Sequence, residues 1–178
     1  MSFLIQGLAN TVVDGVKVAL KQMLDSIDYL TDTEKAEAKR KVELVFVNVG
    51  YPEHTINDAY LNRLADGLEL DPAQDYLVAN SACKQRTIRD QLKLIGTKLD
   101  LTSAYVNPTH VFSYYVKAAN TAHMSVGVLR KPYFDLGMPT AHLYGGFGAG
   151  VADQIGQGFD TFGIFWRLIG VWRLTSDV

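Results

Sequence analysis

Apolar side chains recur at steps of three and four from Leu4 onward: Leu8, Val12, Val16, Leu20, Met23 and Ile27 follow in turn. That period puts them on one face of an amphipathic helix over residues 3 to about 29. Asp14, Lys17, Lys21 and Asp25 fall largely elsewhere. Gly7 and Gly15 weaken the helix, each by about 1 kcal/mol relative to alanine. Thr31 with Glu34 three residues on fits a capping box, in which each side chain satisfies a free N–H at a helix start. The second helix is therefore expected to run to about Val47, with Gly50 and Pro52 as its stop.

The stretch "NDAYLNRLADGLEL" predicts a third, shorter helix ending near Gly67. A longer one follows in "DPAQDYLVANSACKQRTIRDQLKLIG", with Asp71 as N-cap, Pro72 at the first helical position and Gly96 as terminator. After Pro108 the pattern changes. "HVFSYYVKAANTAHMSVGVL" is rich in β-branched and aromatic residues, with a polar break at Ala118 to Thr121. It predicts a β-hairpin or two neighbouring strands. "RKPYFDLGMP" reads as loop. From Thr140 to about Gln157 the chain is apolar enough for a buried helix, against the low helix propensity of its glycines.

Composition narrows the function classes. The 178 residues suit a domain of ordinary size, and 48% apolar with 20% charged residues is globular composition. Seventeen basic against 19 acidic side chains leave no electrostatic footprint for nucleic acid. The one basic run, "KAEAKRK" from Lys35 to Lys41, is interleaved with Ala and Glu and reads as a solvated helix face. Cys83 is the single cysteine, which excludes an internal disulfide and every cysteine-based zinc motif. The first residues lack the basic start and unbroken apolar core of a signal peptide. No stretch approaches the roughly 18 apolar residues of a membrane span.

Three segments, in order, resemble the neprilysin family of zinc metallopeptidases. "VGYPEHTINDAYLN" is similar to the family's "IGYP…ND.YLN" stretch. In "VFSYYVKAANTAHMSVGVLRKPYF", Phe112, Ser113, Tyr114 and Tyr115 fall on the N-A-F-Y positions. Asn120 and Gly127 fall on N-x-I-x-F-P-A-G, and Pro132, Tyr133 and Phe134 on P-F-F. In "LYGGFGAGVADQIGQGFD", Tyr144, Gly145, Gly148, Gly158, Phe159 and Asp160 fit Y-G-x-I-G-x-x-x-G-H-E-x-x-H-G-F-D without a gap. The likeness covers about residues 1 to 160.

H-E-x-x-H works because two His at i and i+4 grip Zn²⁺ from one helix face, and the Glu between them is the general base on metal-bound water. Those three positions here are Asp153, Gln154 and Gln157. Aspartate can ligate zinc, glutamine is a poor ligand, and Gln154 has no carboxylate to accept a proton. The resemblance implies a third ligand from a later E-N-x-x-D motif, which this sequence does not contain. His54, His110, His123 and His142 are not paired at helical ligand spacing, although His110 and His123 could meet across a hairpin. The resemblance also implies that the Asn and Ala of N-A-F-Y anchor the substrate backbone. Phe112 removes that amide, and Ser113 is a milder change. Peptide binding at Phe112, Ser113, Tyr114 and Tyr115 then rests on backbone pairing at an edge strand.

Beyond Asp160 the chain reads "TFGIFWRLIGVWRLTSDV", apolar from Phe162 to Leu174 except for Arg167 and Arg173. Three readings stand open for it: packing in place of a missing lobe, lying in a membrane surface, or a divergent or artefactual end.

The expected fold is α+β, mainly α-helical: a partial thermolysin-like metallopeptidase domain with a small β-hairpin or sheet over residues 1–160, then an apolar tail over 161–178. The expected function is that of a truncated, catalytically inactive neprilysin-family homologue with no zinc of its own, binding a peptide or an active relative. The alternatives are a zinc endopeptidase completed elsewhere and membrane-surface binding through the tail. Exposed apolar surface implies an oligomer or a covering partner. The parent family is extracellular or membrane-anchored, and the sequence shows no export signal, so the compartment is open.

Overall fold

Backbone groups at the helix ends decide where the first elements begin and stop. In the computed structural model, which describes residues 3–51, 56–68, 70–97, 111, 113–160 and 163, helix α1 spans Phe3–Asp25. It ends short of residue 29 because Ser26 turns back: its N–H and its hydroxyl both donate to the Met23 carbonyl, at 3.1 and 2.8 Å. Helix α2, Asp32–Leu44, starts from the expected capping box between Thr31 and Glu34. It stops three residues before Val47, because Phe46–Gly50 leaves it as strand β1. The alternating valines of Val45–Val49, stiff at χ1, favour a strand over a further helical turn.

The chain divides into two compact units, Met1–Tyr51 with Leu101–Val178, and Pro52–Asp100. The first holds a three-stranded sheet in the order β1-β3-β2, where β2 is Ser113–Val116 and β3 is Thr121–Ser125. β2 and β3 form the expected antiparallel hairpin, joined by a 3-10 turn at Lys117–Ala119 and by Asn120 in the left-handed region at φ 50°. β1 runs parallel to β3, pairing Phe46 with Thr121 through Gly50 with Ser125. The period of two puts Val49, Met124, Ala122 and Tyr115 on a buried face. It puts Asn48, His123 and Tyr114 in one row across the other face.

The buried face shares a core with α1. That helix buries Ala9, Val12, Val13 and Val16, whereas Leu4 and Met23, expected on the same stripe, are 67% and 55% exposed. The third layer is the glycine-rich helix, predicted over 140–157. It forms as α5 (Thr140–Leu143), a π-turn (Tyr144–Gly148) and α6 (Ala149–Gly156). The wide turn has a physical cause. The Phe147 N–H leaves the helical ladder and donates to the Tyr133 carbonyl at 3.1 Å. Gly146 permits that approach, since a Cβ there would lie 2.7 Å from the same oxygen. Phe147 then packs edge-on to Phe134, with centroids 5.4 Å apart.

The second unit contains α3 (Asp58–Ala65), capped by Asn57, and α4 (Tyr76–Lys93). The cap of α4 is Asp75, whose carboxylate accepts from the Leu77 N–H at 2.7 Å. Asp71, the expected cap, instead closes the preceding turn by accepting from Ala73 N–H at 2.8 Å, and Pro72 lies in that turn rather than in the helix. No residue of α4 is buried.

Two glycine replacements should act with opposite signs in chemical denaturation. Gly7→Ala, in the open interior of α1 with no described atom within 4 Å of the new methyl, should stabilise by about 1 kcal/mol. Gly146→Ala should destabilise by about 1–3 kcal/mol, the usual cost of forcing atoms into a packed interior.

Candidate functional site

α6 is oriented by its apolar residues. Val151 and Ile155 are fully buried in the core, which fixes the directions of the side chains between and beyond them. Asp153 is exposed, Gln154 is 6% exposed, and Gln157 is half-buried at the helix C-cap. The three are joined to one another. The Gln157 amide donates to the Gln154 carbonyl oxygen at 3.3 Å, and the Gln154 amide donates to the Asp153 carboxylate at 2.9 Å. Among the described residues no cluster of three or more His, Cys, Asp or Glu side chains could hold a metal ion.

A polar network closes the C-terminal end of the same helix. The Lys41 ammonium donates to the Gly158 carbonyl and, at 3.1 Å, to the Gly163 carbonyl. It also sits 5.3 Å from the Phe159 ring centre. A cation here meets the negative end of the helix dipole and its unpaired carbonyls. Burial holds the Lys41 pKa down at about 8, against the pull of Asp160. The backbone carbonyl of Lys41 accepts from the Asn120 amide at 3.2 Å, and Asn120 in turn accepts from the Tyr115 hydroxyl. Burial, reinforced by Asp160, raises the Tyr115 pKa, so this phenol stays a neutral donor. Lys117 pairs with Asp160 at 2.5 Å and ties the hairpin to the same point.

Lys41 corrects the reading of residues 35–41 as a solvated face: it is 4% exposed, while its neighbour Arg40 is exposed. The signal was present, because Ala38, Lys41, Val42 and Val45 form a stripe at steps of three and four with a lysine in its middle.

Of the four residues on the N-A-F-Y positions, Phe112 lies outside the described residues. Ser113 and Tyr114 are half-buried on β2, and Tyr115 is buried with its hydroxyl on Asn120. The Tyr115 side chain is therefore committed to the interior. The outer edge of β2 pairs with no strand among the described residues. Beside it lies a cleft of about 370 Å³, lined by Ser113, Met124, Val128, Tyr133, Phe147 and Gly150.

His54 and His110 lie outside the described residues, so the pairing of His110 with His123 does too. His142 is exposed on α5. His123 is 5% exposed, stacked on Tyr114 with ring centres 4.7 Å apart, and its Nδ1 lies 3.5 Å from the Asn48 amide.

Replacing Lys41 by Met keeps the buried stem but leaves two carbonyls without their donor. It should cost about 1–3 kcal/mol in urea denaturation, while Arg40→Met should be neutral. Burial also lowers the His123 pKa from 6.5. As pH falls through that value the unfolded imidazole takes up a proton and the folded one does not. The contribution of His123 to stability is thus complete above pH 6.5 and is lost as pH falls toward the lower folded value. His123→Gln should flatten the unfolding free energy over that window.

The model of Peptidase family M13 matches residues 112–177. Neprilysin-1 of Caenorhabditis elegans is 29% identical over 86% of this chain, and an endothelin-converting enzyme homolog of Locusta migratoria is 21% identical over 87%. The chain spans about a fifth of the length of each: 21% in both cases. Among solved structures, a zinc metalloprotease of Mycobacterium tuberculosis in complex with an inhibitor matches with a TM-score of 0.74 and 27% identity, over 90% of this chain and 23% of its own. PepO from Lactobacillus rhamnosis shares the fold at a TM-score of 0.78 and 24% identity, over 90% of this chain and 25% of its own. Over residues 112–177 the chain is thus similar to Peptidase family M13, and over most of its length it is similar to neprilysin-type relatives.

Proposed function

We propose that this chain is a peptide-binding member of its family in which the zinc chemistry is lost. The observation that carries the reading is the hydrogen-bonded run Gln157–Gln154–Asp153 on α6. Zinc needs lone pairs aimed at one point, from imidazole, thiolate or carboxylate. Here the one carboxylate accepts from an amide, and the other two positions carry neutral amides that bond to each other or to it. This donor set does not fit zinc. The position of the general base holds Gln154, which has no proton acceptor of useful basicity.

Peptide binding is supported separately by the edge of β2, which pairs with no strand among the described residues, and by the cleft beside it. An extended peptide can add to the edge through its backbone, with a bulky apolar side chain in the cleft against Met124, Val128 and Phe147. Neither contact needs a metal. A partner from among the active relatives would use the same edge.

Zinc content of the purified chain should be far below one per chain, and calorimetry should show no tight site. The variant Asp153→His/Gln154→Glu/Gln157→His should bind zinc measurably more tightly than the natural sequence. A labelled extended peptide with one large apolar side chain should bind the natural sequence, and Gly150→Met, which fills the cleft from α6, should weaken it about tenfold or more, the size of a lost apolar anchor. One tightly held zinc per chain, or turnover of the peptide, would overturn the reading in favour of a zinc endopeptidase.

A further inference from the structure

One side of α4 is tied to its own unit. The Arg86 guanidinium donates to the Asp66 carbonyl and, at 2.7 Å, to the Asp90 carboxylate, which also takes the Lys93 ammonium at 2.8 Å. The opposite side carries an apolar stripe. Leu77, Ser81, Ile88 and Leu92 fall within about 60° of one another around the helix axis, across from Arg86. Leu77 is 71%, Ile88 56% and Leu92 59% exposed. Ile95 continues the stripe in the turn after the helix, its N–H on the Leu92 carbonyl at 3.2 Å.

The stripe is not smooth. Between Leu77 and Val78 at one end and Gln85 at the other, the small residues Ser81 and Ala82 leave a shallow hollow of about 460 Å³. A bulky side chain of a facing helix seats in such a gap. Charge marks the borders. Lys84 lies on one side of the stripe and Arg89 on the other. Both are exposed, and neither forms an ion pair or side-chain hydrogen bond among the described residues, whereas Arg86 and Lys93 are neutralised by Asp90. The face is thus apolar in the middle with an uncompensated cation on each edge.

Those charges select among occupants. A second copy sets the same cations against this face, and like charges oppose the pairing. An anionic lipid surface suits the cations but meets Asp71 and Asp75 at the start of the same segment. A helix with one large aliphatic side chain and carboxylates beside it answers stripe, hollow and charge together. We propose that the outer face of α4 docks an amphipathic helix of another protein, with a leucine-sized side chain over Ser81 and Ala82 and carboxylates on Lys84 and Arg89. The proposal is independent of the peptide edge and of the zinc reading, since α4 lies in Pro52–Asp100 and both β2 and α6 lie in the other unit.

The probe is a fluorescein-labelled helical peptide with leucines at steps of three and four bordered by glutamates, set against a twin bordered by lysines. In fluorescence anisotropy with the full chain, the glutamate peptide should bind about tenfold more tightly than its twin, by a margin that shrinks as salt is raised. Ile88→Glu and Ser81→Trp, tested singly at these exposed positions, should each weaken the glutamate peptide about tenfold with the far-UV circular dichroism unchanged. Lys84→Glu/Arg89→Glu should reverse the preference between the peptides. Arg40→Glu, at an exposed position of α2, should change nothing. Equal binding of the two peptides, binding of neither, or binding indifferent to Ile88→Glu and Ser81→Trp would overturn the proposal. So would a dimer in sedimentation that Ile88→Glu dissolves, which would give the face to a second copy. Co-sedimentation with phosphatidylcholine–phosphatidylserine vesicles that Ile88→Glu abolishes would give it to a membrane instead.

Discussion

One buried ammonium group holds three elements of this fold in register. Lys41 leaves α2, crosses to the C-terminal end of α6 and donates to the Gly158 carbonyl just past that helix. Its own backbone carbonyl takes the Asn120 amide, which locks the turn of the hairpin beneath it. Taking a charge out of water is costly, and burial depresses the Lys41 pKa accordingly. The cost is met by the convergence of carbonyl oxygens, a helix dipole and an aromatic face on one point. The hairpin turn and the C-terminal end of α6 are both bonded to this one residue.

The network also divides the family-like residues by the kind of work they do. Tyr115, Asn120, Gly158, Phe159 and Asp160 all lie in or against it, and the Tyr133 carbonyl holds the π-turn. Those positions, which fit the neprilysin pattern, are occupied with shape and hydrogen bonding. The positions that differ, Asp153, Gln154 and Gln157, bond to one another, with Gln154 alone of the three buried.

Much of this was legible in the sequence, for reasons that can be named. The α1 period, the Thr31–Glu34 box and the hairpin are local signals, and they fixed their elements to within a few residues. β1 was not legible, because Val45–Val49 extends a helical pattern as well as it makes a strand, and only the pairing with β3 decides between them. The cap of α4 was misplaced by four residues for a similar reason: Asp71 and Asp75 are both good caps, and a turn absorbs the first. Lys41 was hidden because a cation in a charged run looks solvated until a partner distant in sequence is known. The glycines of the π-turn argued against a helix that tertiary contacts make.

The burial of Gln154 has a consequence for how readily this part of α6 could carry charge. At 6% exposure and adjacent to Asp153, a glutamate placed there alone would set two carboxylates side by side, one of them out of water, with no cation between them. A histidine placed alone at 157 would break the amide run and leave Gln154 with one unsatisfied oxygen. Each single charged substitution here is uphill unless a counterpart arrives with it. The amide run on α6 therefore resists charge introduced one residue at a time.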